Sequence, residues 1–457
     1  LQNTNFELME SAPVNKAILK LAIPTVLSTI IQLIYNLTDT YFIGLLDDPV
    51  QLAAISLAFP VFMMIQAVGN IVGSGAPSYI SRSLGAKNYK EARHTSAVAF
   101  YSSAAIMVVM TGISLLFMNP ILGLIGTSST SISPTKDYLS VICGCSVILT
   151  MQIILPAMLR AEGKVHQAVT GMVIGTVTNI ILDPLFILGF HMGAAGAAWA
   201  TVIGNCLAVI YYLTVYTGGK SILSISPRDF KPSTRIYGEI LKIGLPSSIS
   251  QIVMSMANVL TNNLAASYGD NVISAFGVAG KLLIMVVMIV IGYVTGYMPF
   301  AGYNYGARNT HRLIQAFKFT ILSGTAACFA FLGLFLFCGP IFMRVFTSQQ
   351  ELIDLGLRIM HAQAWSIPLM AVQMTMMVTF QATGQAIKAT IVNLGRQCLL
   401  YLPLLYLFNA LWQLSGLMYA QCVADILTTV TAISLGIPFL KKLYMMDKSL
   451  QPAAAQT

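Results

Sequence analysis

Long apolar runs alternate with short polar breaks along almost the whole chain. Twelve runs stand out, at approximately 17–46, 51–80, 94–118, 135–158, 165–189, 193–216, 237–267, 271–303, 312–338, 352–382, 386–410 and 413–438. Each reaches the ~20 residues that a helix needs to cross a hydrocarbon layer of roughly 30 Å. Backbone polar groups in lipid must be satisfied within their own segment, so the runs predict helices. Several exceed what a straight span needs, which predicts tilt or kinks, with Pro24, Pro60, Pro184, Pro246, Pro368 and Pro403 as kink points.

Composition agrees with a polytopic membrane protein. Only 9% of the 457 residues are charged and 56% are apolar, against roughly 25% charged in soluble domains. With a mean hydropathy of +0.76, this excludes a soluble enzyme, a nucleic-acid binder, a disulfide-stapled secreted domain and a disordered regulator. The net charge of +9 acquires meaning from its placement. With the N-terminus inside, 21 of the 25 Lys and Arg fall on the inner side, among them Lys16, Arg82, Lys164, Arg228, Arg396 and Lys448. Lys136, Arg344 and Arg358 lie outside, and Lys281 within a helix, where snorkelling competes with a gating role. That bias places both termini in the cytoplasm. The seven cysteines all lie in apolar segments and read as packing residues. The first apolar segment is too long for a signal peptide and is expected to be retained.

The two halves resemble each other. AILKLAIP at 17–24 aligns with EILKIGLP at 239–246, Ser28 with Ser250 and Asn36 with Asn258. LGAKN at 84–88 matches YGARN at 305–309, and RAEGK at 160–164 matches QATGQ at 381–385. The expected fold is therefore an all-α integral membrane protein with twelve transmembrane helices in two six-helix bundles. An even number of spans per half relates the bundles by a pseudo-two-fold axis along the membrane normal, with a substrate path between them. The expected organisation is a first bundle over 1–216, a cytoplasmic linker over 217–236, a second bundle over 237–440 and a cytoplasmic tail over 441–457.

Ionisable groups at lipid depth ask for a reason. Thirteen of sixteen acidic residues lie in loops, tails or helix ends; Asp39, Asp183 and Asp425 do not. Asp39 closes a polar stripe of Thr25, Ser28, Gln32 and Tyr35 on the first segment, with Asn36 alongside. Asp183 closes a stripe with Thr176 and Asn179 on the fifth, at a depth compatible with Asp39. Thr201 and Asn205 mark the sixth segment, and Ser247, Gln251, Ser255, Asn258 and Asn262 the seventh. Asp39 and Asp183 thus read as a pair in a water-filled cavity. Burial disfavours a charged carboxylate, so a proton can be held there, and the same oxygens suit a sodium ion. The competing role for Asp39 is hydrogen bonding to a neighbouring helix. For Asp425, helix–helix bonding and transport stand level. Methionines such as Met63 and Met254 suit varied apolar ligands, although packing is their ordinary use. TGGKS at 217–221 lacks the first glycine of a phosphate loop, there is no HExxH, and no nucleotide-binding domain is seen, so ATP is not expected as the direct energy source.

These features resemble the multidrug and toxic compound extrusion (MATE) family, closest to its DinF/MepA-like branch, over about residues 12–440. The resemblance is carried by IYNLTDTYFIG at 34–44, YISRSLGAKN at 79–88, RAEGK at 160–164, NIILDP at 179–184 and QATGQ at 381–385. It implies two six-helix bundles forming a V-shaped cavity, and efflux of cationic and amphipathic compounds in exchange for protons or sodium. It further implies an ion site of Asp39, Asn179, Asp183 and Thr201, with sodium possible at Asp39, Asn179 and Asp183, and a helix 4 tyrosine at Tyr138. Other branches place acidic residues on helices 7 and 10, where this chain has only the terminal Glu239, Glu351 and Asp354.

The reading that results is a non-enzymatic antiporter of the bacterial inner membrane, embedded in lipid. It needs no cofactor, nucleic acid or ATPase subunit. Gln32, Tyr35, Asn36, Met63, Gln66, Tyr138, Asn205, Gln251, Met254 and Asn258 are expected to line the substrate cavity. The alternative is a lipid-linked oligosaccharide flippase, which would line its cavity with Arg and Lys. A membrane enzyme or channel would need a catalytic constellation or a charge ring, and neither is visible.

Overall fold

The computed structural model describes residues 7–44 and 48–454, and among them there is no strand. Six helical segments make up the first half: α1 (Val14–Gly44), α2 (Pro49–Gly85), α3 (Tyr89–Leu116), α4 (Ile132–Gly144 with Ser146–Ala161), α5 (Val165–Pro184) and α6 (Gly193–Thr217). Six more follow: α7 (Thr234–Ala266), α8 (Asp270–Gly306), α9 (Thr310–Phe346), α10 (Gln350–Ala364 with Ile367–Ala382), α11 (from Ala386) and α12. α11 and α12 are separated by the non-helical Gln413, at φ 50°. The twelve apolar runs therefore correspond to twelve helical segments. Side chains such as Phe337 (86% exposed) and Leu322 (73%) present their apolar surface outward, as a lipid solvent requires.

Only some of the expected kinks fall on prolines. Pro24, Pro60 and Pro246 lie inside uninterrupted helices. α4 bends by 49° at Cys145, with no proline at the break. α10 breaks before Pro368, which occupies the first turn of the resumed helix, where its missing N–H costs no hydrogen bond. Pro184 ends α5 and leads into a π turn, Leu185–Gly189, and a second π turn, Gly395–Tyr401, precedes Pro403 in α11.

The repeat extends to backbone conformation. Lys87 and Arg308, at matching places in LGAKN and YGARN, both have φ 57°. The next residues, Asn88 and Asn309, cap α3 and α9 by accepting from the N–H three residues on, each at 3.2 Å. Gly163 and Gly384, in the RAEGK and QATGQ turns, have φ 81° and 74°, a region that L side chains rarely enter.

Two compact units form, with a reciprocal exchange. Leu27–Ser248, with the stretch ending at Met9, makes the first; Glu10–Val26 joins Ile249–Thr457 in the second. The first part of α7 thus packs in the first unit, where Ser248 Oγ donates to Ala67 O (2.8 Å) and Arg82 pairs with Glu239 (2.8 Å). The first part of α1 packs in the second, where Tyr303 Oη donates to Glu10 Oε1 (2.5 Å) and Arg312 to Ala12 O (2.7 Å).

Residues 217–236 are more than a polar connector. Glu162 Oε1 accepts from Ile222 N (2.7 Å), and Glu162 Oε2 from Ser221 Oγ (2.5 Å). Lys164 pairs with Glu162 (2.6 Å) and reaches Lys220 O. Ser96 and Tyr101 donate to Ser224 O (2.9 Å) and Ile225 O (2.8 Å). The buried RAEGK turn therefore straps the segment to the first unit. Beyond residue 441, α12 continues as helix to Ala454.

Candidate functional site

α5 and α6 run against each other at glycines. A Cβ on Gly204 would lie 2.5 Å from Gly175 O, and one on Gly175 would lie 3.1 Å from Gly204 O. Small residues of this kind let helix backbones approach closely in a membrane. The approach sets Asn179 directly on α6, its Cβ 3.2 Å from the place where a Gly204 side chain would start.

Asp183 is fully buried and Asn179 nearly so, at 0% and 3% exposed. Asn179 satisfies both ends of its amide when Nδ2 points at the carboxylate. Nδ2 then donates to Asp183 Oδ2 at 3.0 Å, while Oδ1 accepts from the Thr201 hydroxyl (3.3 Å) and the Thr201 N–H (3.1 Å). Tyr35 Oη of α1 lies 3.4 Å from Thr201 Oγ1. Four of the expected residues, Tyr35, Asn179, Asp183 and Thr201, are thus brought together on three helices. The site ends at Pro184 and the π turn beyond it, a local irregularity frequent at functional sites.

The other expected residues are placed less tightly. Asp39 and Asn36 lie on α1, but their side chains fall outside the described residues, so the proposed carboxylate pair and a sodium site including Asp39 do too. Gln32 is exposed, while Met63, Gln66 and Asn205 are half-buried in the first unit. Tyr138 packs into the apolar cluster around Ile65, Met107, Ile142 and Val202. Gln251, Met254 and Asn258 belong to the second unit, with Met254 and Asn258 exposed. Along the α7 stripe, Ser247 and Ser255 donate to carbonyls four residues back, at 2.9 and 3.2 Å. Lys281 is exposed on α8.

A second polar cluster was only half visible in the sequence. Asp425 of α12 is fully buried, and Arg396 Nε donates to its Oδ1 at 2.7 Å. Gln421 and Gln373 donate to the same oxygen at 3.2 and 3.4 Å, and Ser366 to Oδ2 at 3.0 Å. Arg396 therefore leaves the tally of inner-side charges: it sits in the α11 π turn as the partner of a buried carboxylate. The signal was a cation and an acid in neighbouring apolar runs.

A model of the family described as MatE matches the chain twice, over residues 24–185 and 246–407. The two stretches have equal length and repeat at the spacing read from the sequence. The chain belongs to the MatE family. It is 30% identical to the multidrug export protein MepA of Staphylococcus aureus (strain MSSA476), over 93% of this chain and 94% of that protein. Its fold is similar to a MATE crystallised in complex with MaL6, at TM-score 0.91 and 26% identity over 96% of this chain and 99% of that one. It is also similar to an outward-facing multidrug resistance MATE transporter of the MOP superfamily, at TM-score 0.90 and 26% identity over 96% and 98%. As a MatE protein of MepA-like type, the chain is a multi-pass membrane protein with twelve helices in two bundles.

Proposed function

We propose that this MatE protein is a proton-coupled antiporter of the bacterial inner membrane that exports amphipathic, often cationic, compounds. The names of its relatives support the multidrug character, and one observation supports the coupling. A fully buried carboxylate, Asp183, faces an amide nitrogen at 3.0 Å on a helix pair fixed by glycines.

That geometry favours a proton over sodium. Asn179 turns a donor toward Asp183, and its oxygen is engaged by Thr201. A hard cation needs oxygens pointed at it. The amide donor holds the carboxylate in place. Loading from outside would favour one conformation and drug binding the other, since an ion and a drug with equal preference for both states could not drive one another. A flippase for anionic head groups calls for uncompensated cations, whereas Arg396 is held by Asp425.

Everted vesicles under a respiratory proton gradient test this reading. Added ethidium should collapse part of the gradient without sodium, and Asp183→Asn should abolish the response at normal expression. A response that requires sodium would reassign the coupling ion, and normal efflux by the mutant would overturn the site.

A further inference from the structure

The polar groups that the proposed proton site leaves unused converge on Asp425. The helix pair that holds them is the counterpart of α5 and α6. Gly196 of α6 packs against the Phe186 carbonyl and Gly416 of α12 against the Phe408 carbonyl. With these glycines superposed, Gln421 takes the place of Thr201, and Asp425 that of Asn205. Each pair adjoins a π turn. The second unit therefore carries its own buried polar site on the corresponding helix pair, with its carboxylate on α12 and a cation built in on α11.

Three observations bear on what that cation does. The Arg396 side chain is 17% exposed whereas Asp425 is not exposed at all, so the guanidinium forms the outer edge of the pair. A Cβ on the adjacent Gly395 would meet nothing within 4 Å, which leaves room beside the π turn. Gln373 is 1% exposed and its Nε2 lies on Asp425, yet its Oε1 has no hydrogen-bond partner among the described residues. Buried acceptors are normally satisfied, so this one marks a place where a donor is missing.

Resting on the efflux reading, we propose that Asp425 is a second recognition group for substrate cations, occupied in this structure by Arg396, which an incoming organic cation displaces. The exchange keeps the fully buried carboxylate paired throughout and releases only the partly exposed guanidinium. The incumbent defines the ligand class. A guanidinium is planar, delocalised and weakly hydrated, so the site suits delocalised organic cations rather than sodium. The Gln373 oxygen would accept from ligands that carry an N–H.

Binding of tetraphenylphosphonium to the purified full-length protein tests this, with an uncharged amphipathic fluorophore as control. Wild type and Asp183→Asn should both bind the cation, although only wild type couples efflux to protons. The doubly neutral Arg396→Gln/Asp425→Asn protein should bind it on the order of tenfold more weakly, with the uncharged probe unaffected. Equal cation binding by wild type and the double variant, or equal loss of both probes, would reduce the pair to a structural staple. If the double variant does not fold, Arg396→Lys decides. A single-point ammonium is a poorer incumbent, so cation binding should tighten several-fold; unchanged or weaker binding overturns the proposal. A wild type that neither binds nor exports organic cations removes the efflux reading itself, and this inference with it.

Discussion

Asp183 and Asp425 are both fully buried carboxylates on corresponding helix pairs, yet they are held in opposite ways. Asp183 receives an amide nitrogen at 3.0 Å, and Asp425 receives a guanidinium at 2.7 Å. A neutral donor orients a carboxylate without cancelling its charge, so a mobile ion can still be gained or lost there. A guanidinium cancels it, and together with Ser366 and Gln373 the pair ties α10, α11 and α12 to one carboxylate. On the proposed reading, one repeated scaffold carries a site that exchanges charge and a site that stores it.

The comparison breaks first at Asp183. Asp183→Asn should lose more than about tenfold in proton-coupled efflux while its melting temperature changes little, since a neutral amide still fits between Asn179 and α6. Efflux in everted vesicles and a thermal melt read the two halves of that expectation.

At Asp425 the order of effects should invert. Asp425→Asn or Arg396→Gln alone leaves a buried charge without its partner and should cost about 3–5 kcal/mol of stability. The double change should cost much less than the sum, and a double-mutant cycle on thermal unfolding measures the coupling. Additive costs would mean that the 2.7 Å contact contributes little.

Helix approach comes next. Gly204→Val would push α6 away from Gly175 and Asn179, and overpacking of this kind costs about 1–3 kcal/mol. Efflux should fall with stability, as Asn179 loses its seat against Thr201. Thr201→Val is the mildest change. It removes one hydroxyl from the amide oxygen, worth about 0.5–1.5 kcal/mol, and leaves the Thr201 N–H in place. Its efflux should stay within a fewfold of wild type.

The linker gives a separate check. Glu162→Ala removes the acceptor for Ser221, Ile222 and Lys164, so trypsin should cut at Lys220 faster than in wild type. Equal cutting rates would mean that the strap forms without its carboxylate.

Much of this was legible in the sequence because its signals are local. Run length against polar breaks located twelve helices, and LGAKN with YGARN exposed the repeat that Lys87 and Arg308 confirm in their backbone angles. Helical spacing put Asn179 and Asp183 on one face, whereas Thr201 joined them only through the family resemblance. What escaped depends on packing. The α4 break at Cys145 has no proline to announce it, and it arises where the helix meets its neighbours. Arg396 was counted with the inner-side charges although it lies inside the run at 386–410, because a run's length does not show which of its charges is paired in mid-helix. The linker read as polar because its partners Ser96, Tyr101 and Glu162, two of them buried, lie far away along the chain.

The exchange of helix ends also has a consequence for synthesis. Glu10 is made long before its partner Tyr303, which follows 293 residues later. At ~5–20 residues per second, that is roughly 15 to 60 s of translation. Throughout that interval the start of α1 lacks the unit in which it finally packs. The first unit likewise waits for Thr234–Ser248 to be made before it is whole. The first unit is therefore whole only after the start of α7 has been made, while the start of α1, made early, waits for the second half of the chain.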